Sequence, residues 1–251
     1  MESTLIKEVK GQVVHLKLNR PDSLNAINPI MLKALIDALT EIRADSSIRV
    51  VIVSGVGRAF SAGVDLKTTE PADFQKGAPF MEMGKELPRL IASMPQVLIA
   101  QVHGFCFTGA LEFMLCFDLM FCDDETQFGD THTKWAIIPQ WGMTQRLARQ
   151  VGLVKAKELS FRAMRVRGPE AERIGLVNRS FAKASLTEEV DKIAEEISAN
   201  SAEAIARIKS LYDQGYATTL EAGLEIESNA NTDMADTGAE LAQFSKKKFK
   251  G

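Results

Sequence analysis

Val14, Leu16 and Leu18 fall on one side of an alternating segment, with His15 and Lys17 between them. With LIKEVK ahead of them and Gly11 in the gap, this period of two predicts a hairpin. The polar turn NRPDSLNAIN follows, and then the period changes. Asn28 before Pro29 is a helix start, a side-chain cap with proline at the first helical position. Leu32, Leu35, Ile36, Leu39 and Ile42 continue as one stripe at helical spacing. The unbroken apolar run IRVVIVSG predicts a buried strand, parallel to its neighbours. KELPRLIASM then reads as helix, VLIAQVHG as strand, GALEFMLCF as a short helix and LMFCDD as strand. GMTQRLARQVG and VKAKELSFRAM read as helices. Strand, loop and helix alternate at least three times, which predicts an α/β core.

The strands stop near Ser185. Ser185 and Glu188 form a capping-box pattern ahead of Val190, Ile193, Ala194 and Ile197, and SAEAIARIKSLYDQG and the residues after it continue as helices. This divides the chain into an α/β core over 1–184 and a helical region over 185–251. The helical region has little apolar surplus of its own, so it must pack on the core or on another subunit. Thr68 to Gly84, TTEPADFQKGAPFMEMG, has no period and is rich in Gly, Pro and Met. A loop of that length predicts a lid facing a substrate.

Composition narrows the function classes. Of 251 residues, 45% are hydrophobic and 25% charged, which excludes a disordered, collagenous or disulfide-built chain. A net charge of -3 argues against a non-specific nucleic-acid binder. Cys106, Cys116 and Cys122 are an odd set with no C-x-x-C and sit in apolar surroundings, so buried free thiols are expected. MESTLIKEVK lacks the features of a secretory signal. No apolar run approaches the roughly 20 residues of a membrane span. The expectation is a cytoplasmic protein with no membrane partner.

Two loops carry candidate chemistry. GVGRAFSAGVDL follows the strand IRVVIVSG, and HGFCFTGALEF follows VLIAQV. Both place Gly and small residues where a buried strand ends, the place at which open α/β sheets bind ligands. Small residues there let backbone N–H groups approach closely, and two such groups on one oxygen form an oxyanion hole. Neither loop is a phosphate-binding loop, and no G-x-S-x-G elbow is present. His15, His103 and His132 are too scattered to read as a metal set.

NRPDSLNAIN, AFSAGVDL, IAQVHGFCFTGALEF, QFGDTH, IIPQWGMTQRLARQVG and ERIGLVN occur in the order and spacing of the enoyl-CoA hydratase/isomerase (crotonase) superfamily, which the chain resembles from about residue 5 to its C-terminus. The resemblance implies a crotonase-like spiral of ββα units and a C-terminal helical trimerisation region. It implies a homo-oligomer, trimer or hexamer, and an acyl-CoA thioester as substrate, with coenzyme A part of that substrate and no separate cofactor. It places the oxyanion amides at Val64 and Gly109, and a segment lining the adenine pocket at Ala62 and Asp65. Phe244 and Lys247 match residues that reach the nucleotide of a neighbouring subunit. The alternative for Lys246, Lys247, Lys248 and Lys250 is a solvated charged tail.

The first catalytic glutamate implied by the resemblance is Glu112. By its surroundings, a carboxylate at a helix start amid Leu111, Phe113 and Met114 is paired, exposed or poised as an acid/base. The second glutamate is replaced by His132, the main departure. Imidazole still passes a proton near neutral pH, and on a strand Asp130 would share its face and orient it; the alternative is a hydrogen-bonding wall residue. Gln140 stands where dienoyl-CoA isomerases carry an aspartate, and it cannot abstract a proton. Trp141 and Met143 replace small residues of a P-G-x-G-G stretch, which alters the acyl pocket or its entrance and adds Trp141 to the substrate-binding set. The expectation is a hydratase-like lyase. The alternatives are double-bond isomerisation or decarboxylation of an acyl-CoA, and, in another class, an RNA-binding or scaffold member. The charge balance, and a lysine-rich tail without interleaved aromatics, weigh against the last.

Overall fold

The computed structural model describes residues 3–234. The chain divides into two compact units, Met1–Ser198 and Ala199–Gly251. The first is α/β. β1 (Leu5–Lys10) and β2 (Val13–Leu18) form the expected antiparallel hairpin. α1 (Pro29–Ala44) follows, its first turn capped by the Asn28 side chain, which accepts from the Met31 amide at 2.9 Å. Then come β3 (Val50–Gly55), α2 (Pro79–Ala92), β4 (Val97–Val102), β5 (Phe105–Phe107) and α3 (Gly109–Met114). β6 (Leu119–Asp123), β7 (Gln127–Gly129), α4 (Met143–Val151), α5 (Leu153–Phe161), β8 (Arg165–Arg167), α6 (Gly168–Arg173), β9 (Arg179–Phe181) and α7 (Leu186–Ser198) complete the unit. Six strands form one sheet in the order β1-β2-β3-β4-β6-β9, parallel from β2 onward. A second sheet holds β5-β7-β8.

The burial pattern follows from strand alternation. Val51, Val53, Leu98 and Ala100 join the main hydrophobic core with Leu32, Leu35 and Leu39 of α1. Val50, Ile52 and Ile99 are equally buried on the opposite face of the sheet. α7 packs against β2, β3, β4, β6 and β9, and its Leu186, Val190 and Ala194 are buried. This moves the boundary drawn from the sequence. The helix after Ser185 belongs with the α/β unit, because without it one face of the central strands would meet water; the division falls after Ser198.

The 68–84 segment is also more ordered than its sequence suggests. Pro71–Phe74 is a 3-10 turn, and α2 begins at Pro79, with Phe80, Met81 and Gly84 buried. A run as mixed as PFMEMG hides a helix whose apolar face is short. Cys106 and Cys122 are buried and Cys116 partly so, all three as free thiols. Burial pushes the Cys116 and Cys122 thiols up to about 12, so neither supplies a thiolate near neutral pH.

The second unit contains α8 (Ala202–Tyr216) and α9 (Leu220–Ser228), capped by Ser201 and Thr219. They meet where Gly215 and Gly223 face each other, so closely that a Cβ on Gly223 would lie 3.4 Å from the Gly215 Cα. Ile208, Tyr212, Tyr216, Leu220 and Leu224 are exposed. Among the described residues no helix is long and apolar enough to cross a membrane.

Candidate active site

The two small-residue loops meet. Phe60 and Ser61 donate backbone hydrogen bonds to His103 and Phe105, and Phe107 donates to Ser61, so the 59–65 segment runs beside β5. On its other side Ile27 donates to the Gly63 carbonyl at 2.7 Å, and Asp65 donates to the Ile27 carbonyl at 2.9 Å. In this parallel pairing the intervening Val64 N–H points away from Ile27, toward the second loop. Gly63 has φ +99°, and a Cβ there would lie 2.7 Å from the Phe107 carbonyl and 3.4 Å from the Gly109 nitrogen. Only glycine permits this approach. Thr108 makes the turn on the facing loop with φ 53° and ψ -113°, a strained conformation held by a 2.5 Å hydroxyl contact to Thr131. As the first residue of α3, Gly109 has no intrahelical acceptor for its N–H.

A cavity of about 420 Å³ opens here, lined by Ala62, Val64, Asp65, Thr108 and His132 among others. Ala62, Val64, Asp65 and His132 thus line one cavity. The Asp65 carboxylate is committed to Arg20 at 2.8 Å. Glu112 does not line the cavity. It is 3% exposed, with Oε1 accepting from the Trp141 N–H at 2.9 Å and the Met143 N–H at 3.1 Å. Its Oε2 is 3.4 Å from His132 Nε2. Glu112 is therefore buried and paired, not exposed. Gln140 donates to the Phe74 carbonyl at 2.7 Å, tying its loop to the 3-10 turn. Phe244 and Lys247 lie outside the described residues.

Asp130 and His132 do not share a strand. β7 ends at Gly129, and His132 opens a 3-10 turn over His132–Trp135. The pairing forms all the same: Asp130 Oδ1 accepts from the His132 backbone N–H at 3.2 Å and lies 2.6 Å from its Nδ1. Asp130 Oδ2 accepts from the Ser160 hydroxyl at 2.5 Å. Ser160 was missed in the sequence, since it sits on α5 thirty residues away with no local signal. Ser160, Asp130, His132 and Glu112 make one buried polar chain. Burial opposes a charged imidazole, but the hydrogen bonds to Asp130 and Glu112, and their charges, outweigh it and raise His132 to about 9. Both ring nitrogens face carboxylates, as an imidazolium with two donors requires. Asp130 is pulled below the usual carboxylate range, its His132 and Ser160 hydrogen bonds overcoming burial.

The family model for Enoyl-CoA hydratase/isomerase matches residues 8–248. A short-chain-enoyl-CoA hydratase of Clostridium acetobutylicum is 32% identical over 91% of this chain and 88% of its own. A crotonyl-CoA hydratase of Syntrophomonas wolfei is 33% identical over 90% and 87%. The crystal structure of an enoyl-CoA hydratase from Bacillus anthracis superposes with a TM-score of 0.92 at 30% identity, over 97% of this chain and 96% of the other. Sequence and fold agree over nearly the whole length: the chain belongs to the enoyl-CoA hydratase/isomerase family.

Proposed function

We propose that the protein hydrates 2-enoyl-CoA thioesters, and that the Glu112–His132 contact of 3.4 Å beside the Val64 and Gly109 amides carries this reading. The two N–H groups hold the thioester oxygen as it gains enolate charge. The resting pair is a carboxylate and an imidazolium. Water gives a proton to Glu112 as its hydroxyl bonds to Cβ, and His132 gives a proton to Cα. Glu112 then returns its proton to His132 across the contact, so the pair ends as it began. The thioester brings its own coenzyme A, and no separate cofactor enters the reaction. Lys67, Lys134 and Arg165 on the cavity wall offer cations to the nucleotide phosphates, with Arg165 braced over the Phe107 ring at 4.8 Å.

The names of the clostridial and syntrophic relatives support hydration. One observation favours a second reading, acyl-CoA double-bond isomerisation. His132 lines the cavity directly, and a proton shuttled by one group needs no water. A crotonyl-CoA hydration assay decides between them. Turnover of crotonyl-CoA, lost in a folded Gly109→Pro variant, is expected, since proline removes the second N–H. An oxyanion donor is worth about 2.7–4 kcal/mol of transition-state stabilisation. Turnover of a 3-enoyl-CoA without water incorporation replaces hydration by isomerisation.

The protein works as a homo-oligomer, a trimer or hexamer. The large apolar side chains exposed on α8 and α9 support this, being the kind of surface that subunit contact covers. Light scattering is expected to give three or six copies; a monomer at micromolar concentration contradicts the assembly.

A further inference from the structure

We infer that Trp141 closes the space beyond the reacting carbons and restricts this enzyme to short acyl groups. The inference rests on the acyl-CoA reading above, and three contacts carry it. The indole lies against α2 where Gly84 leaves room: a Cβ there would come within 2.0 Å of Trp141 Nε1 and 2.1 Å of Cε2. Its opposite edge reaches the oxyanion loop, with Cζ3 3.3 Å from the position a Cβ on Gly109 would take. Phe80 meets the ring edge-on at 5.8 Å between centroids. The indole therefore spans the whole interval between α2 and the carbonyl-binding amides, and is 4% exposed.

The direction of the acyl group follows from the same atoms. A thioester whose oxygen sits on Val64 and Gly109 runs its coenzyme A arm along the cavity, on the side of Ala62 and Asp65. Its Cα and Cβ must lie within reach of Glu112, whose Oε1 is bonded to the Trp141 backbone N–H. The next carbons then meet the indole. The indole is packed, not open to the cavity, so it fills the space those carbons would enter.

The indole N–H points to the same role. Trp141 Nε1 is buried without a hydrogen-bond partner among the described residues. A buried donor left unpaired is costly, so this ring is placed for its shape. Its backbone is fixed at both ends, by the N–H to Glu112 and by the carbonyl accepting from Arg146 at 3.2 Å.

Affinities of saturated acyl-CoAs from butyryl to decanoyl read this space without turnover. An apolar pocket that receives the chain tightens binding about fourfold per added methylene. The native enzyme is expected to gain nothing beyond butyryl, and Trp141→Phe to keep that flat profile while removing the orphan donor. Trp141→Ala is expected to tighten octanoyl-CoA roughly 10²-fold relative to butyryl-CoA, four methylenes at that rate. Trp141→Leu, a milder change for folding, should shift in the same direction by less. A native affinity that climbs steadily to decanoyl overturns the inference, as does an unchanged slope in folded Trp141→Ala or Trp141→Leu. Chain-length-independent binding with no hydration of any enoyl-CoA overturns the hydratase reading alone.

Discussion

Glu112→Gln is expected to lower crotonyl-CoA hydration by roughly 10²–10⁴-fold, the span of general acid–base catalysis, with coenzyme A affinity near native. The amide oxygen can still accept from the Trp141 and Met143 N–H groups that hold Oε1, so the loop keeps its support. The new NH2 group then faces His132 Nε2, where the carboxylate stood at 3.4 Å. Two donors meet, and the imidazolium loses its partner. The base for water and one of the two hydrogen bonds raising His132 are removed together. Stopped-flow loss of the enoyl absorbance, with thioester affinity measured separately, checks the result. Near-normal turnover would remove Glu112 and its pairing from the chemistry. His132→Ala is expected to be comparably slow, since His132 supplies the proton to Cα; an unchanged rate reduces His132 to a wall residue.

The long elements were legible because their periods are long enough to show. β2 alternates, β3 and β4 are continuous apolar runs between polar turns, and α1 carries both a cap and a stripe. β5, β7, β8 and β9 have three residues each, and no period can be read in three residues. The place of α7 was illegible for another reason. Its amphipathic pattern shows that it must cover something, but pattern does not say what. The answer lies in the second face of β3 and β4, whose runs are buried on both sides.

The site divides in the same way. Glu112, His132, Val64 and Gly109 came from motif order, and the structure brings them together. What it adds are contacts between segments far apart in sequence. Ser160 reaches Asp130 from α5, and the Trp141 indole lies against Gly84 of α2. A glycine inside a helical run reads as a weak helix former; that it makes room for a tryptophan fifty-seven positions later is visible only in three dimensions. The Asp130–His132 pairing was legible as a spacing of two, although the strand expected to create it is a loop leading into a 3-10 turn.

Asp130→Asn tests the polar chain through its charge. Asparagine can still accept from His132 Nδ1, and Ser160 can turn to face its amide, so the ring keeps its place. What goes is the Asp130 charge, one of the causes that raise His132 to about 9. Serving as the acid for Cα, His132 acts only while protonated, so the native rate should hold across neutral pH and fall as pH rises through about 9. In Asp130→Asn that alkaline limb moves down toward neutral. The rate at neutral pH falls with the protonated fraction of His132, by less than on loss of the acid itself. Stability follows the same linkage. A histidine whose pKa is raised by folding contributes fully below its unfolded value near 6.5 and loses that contribution as pH rises through about 9. The difference is on the order of 3 kcal/mol for a shift of this size, and the His132 side chain is only 7% exposed, so solvent screens it little. Urea melts of the native enzyme should therefore weaken between neutral and strongly alkaline pH, and those of the variant should weaken less. An alkaline limb that stays at its native position in Asp130→Asn would mean that the carboxylate holds the ring without setting its charge.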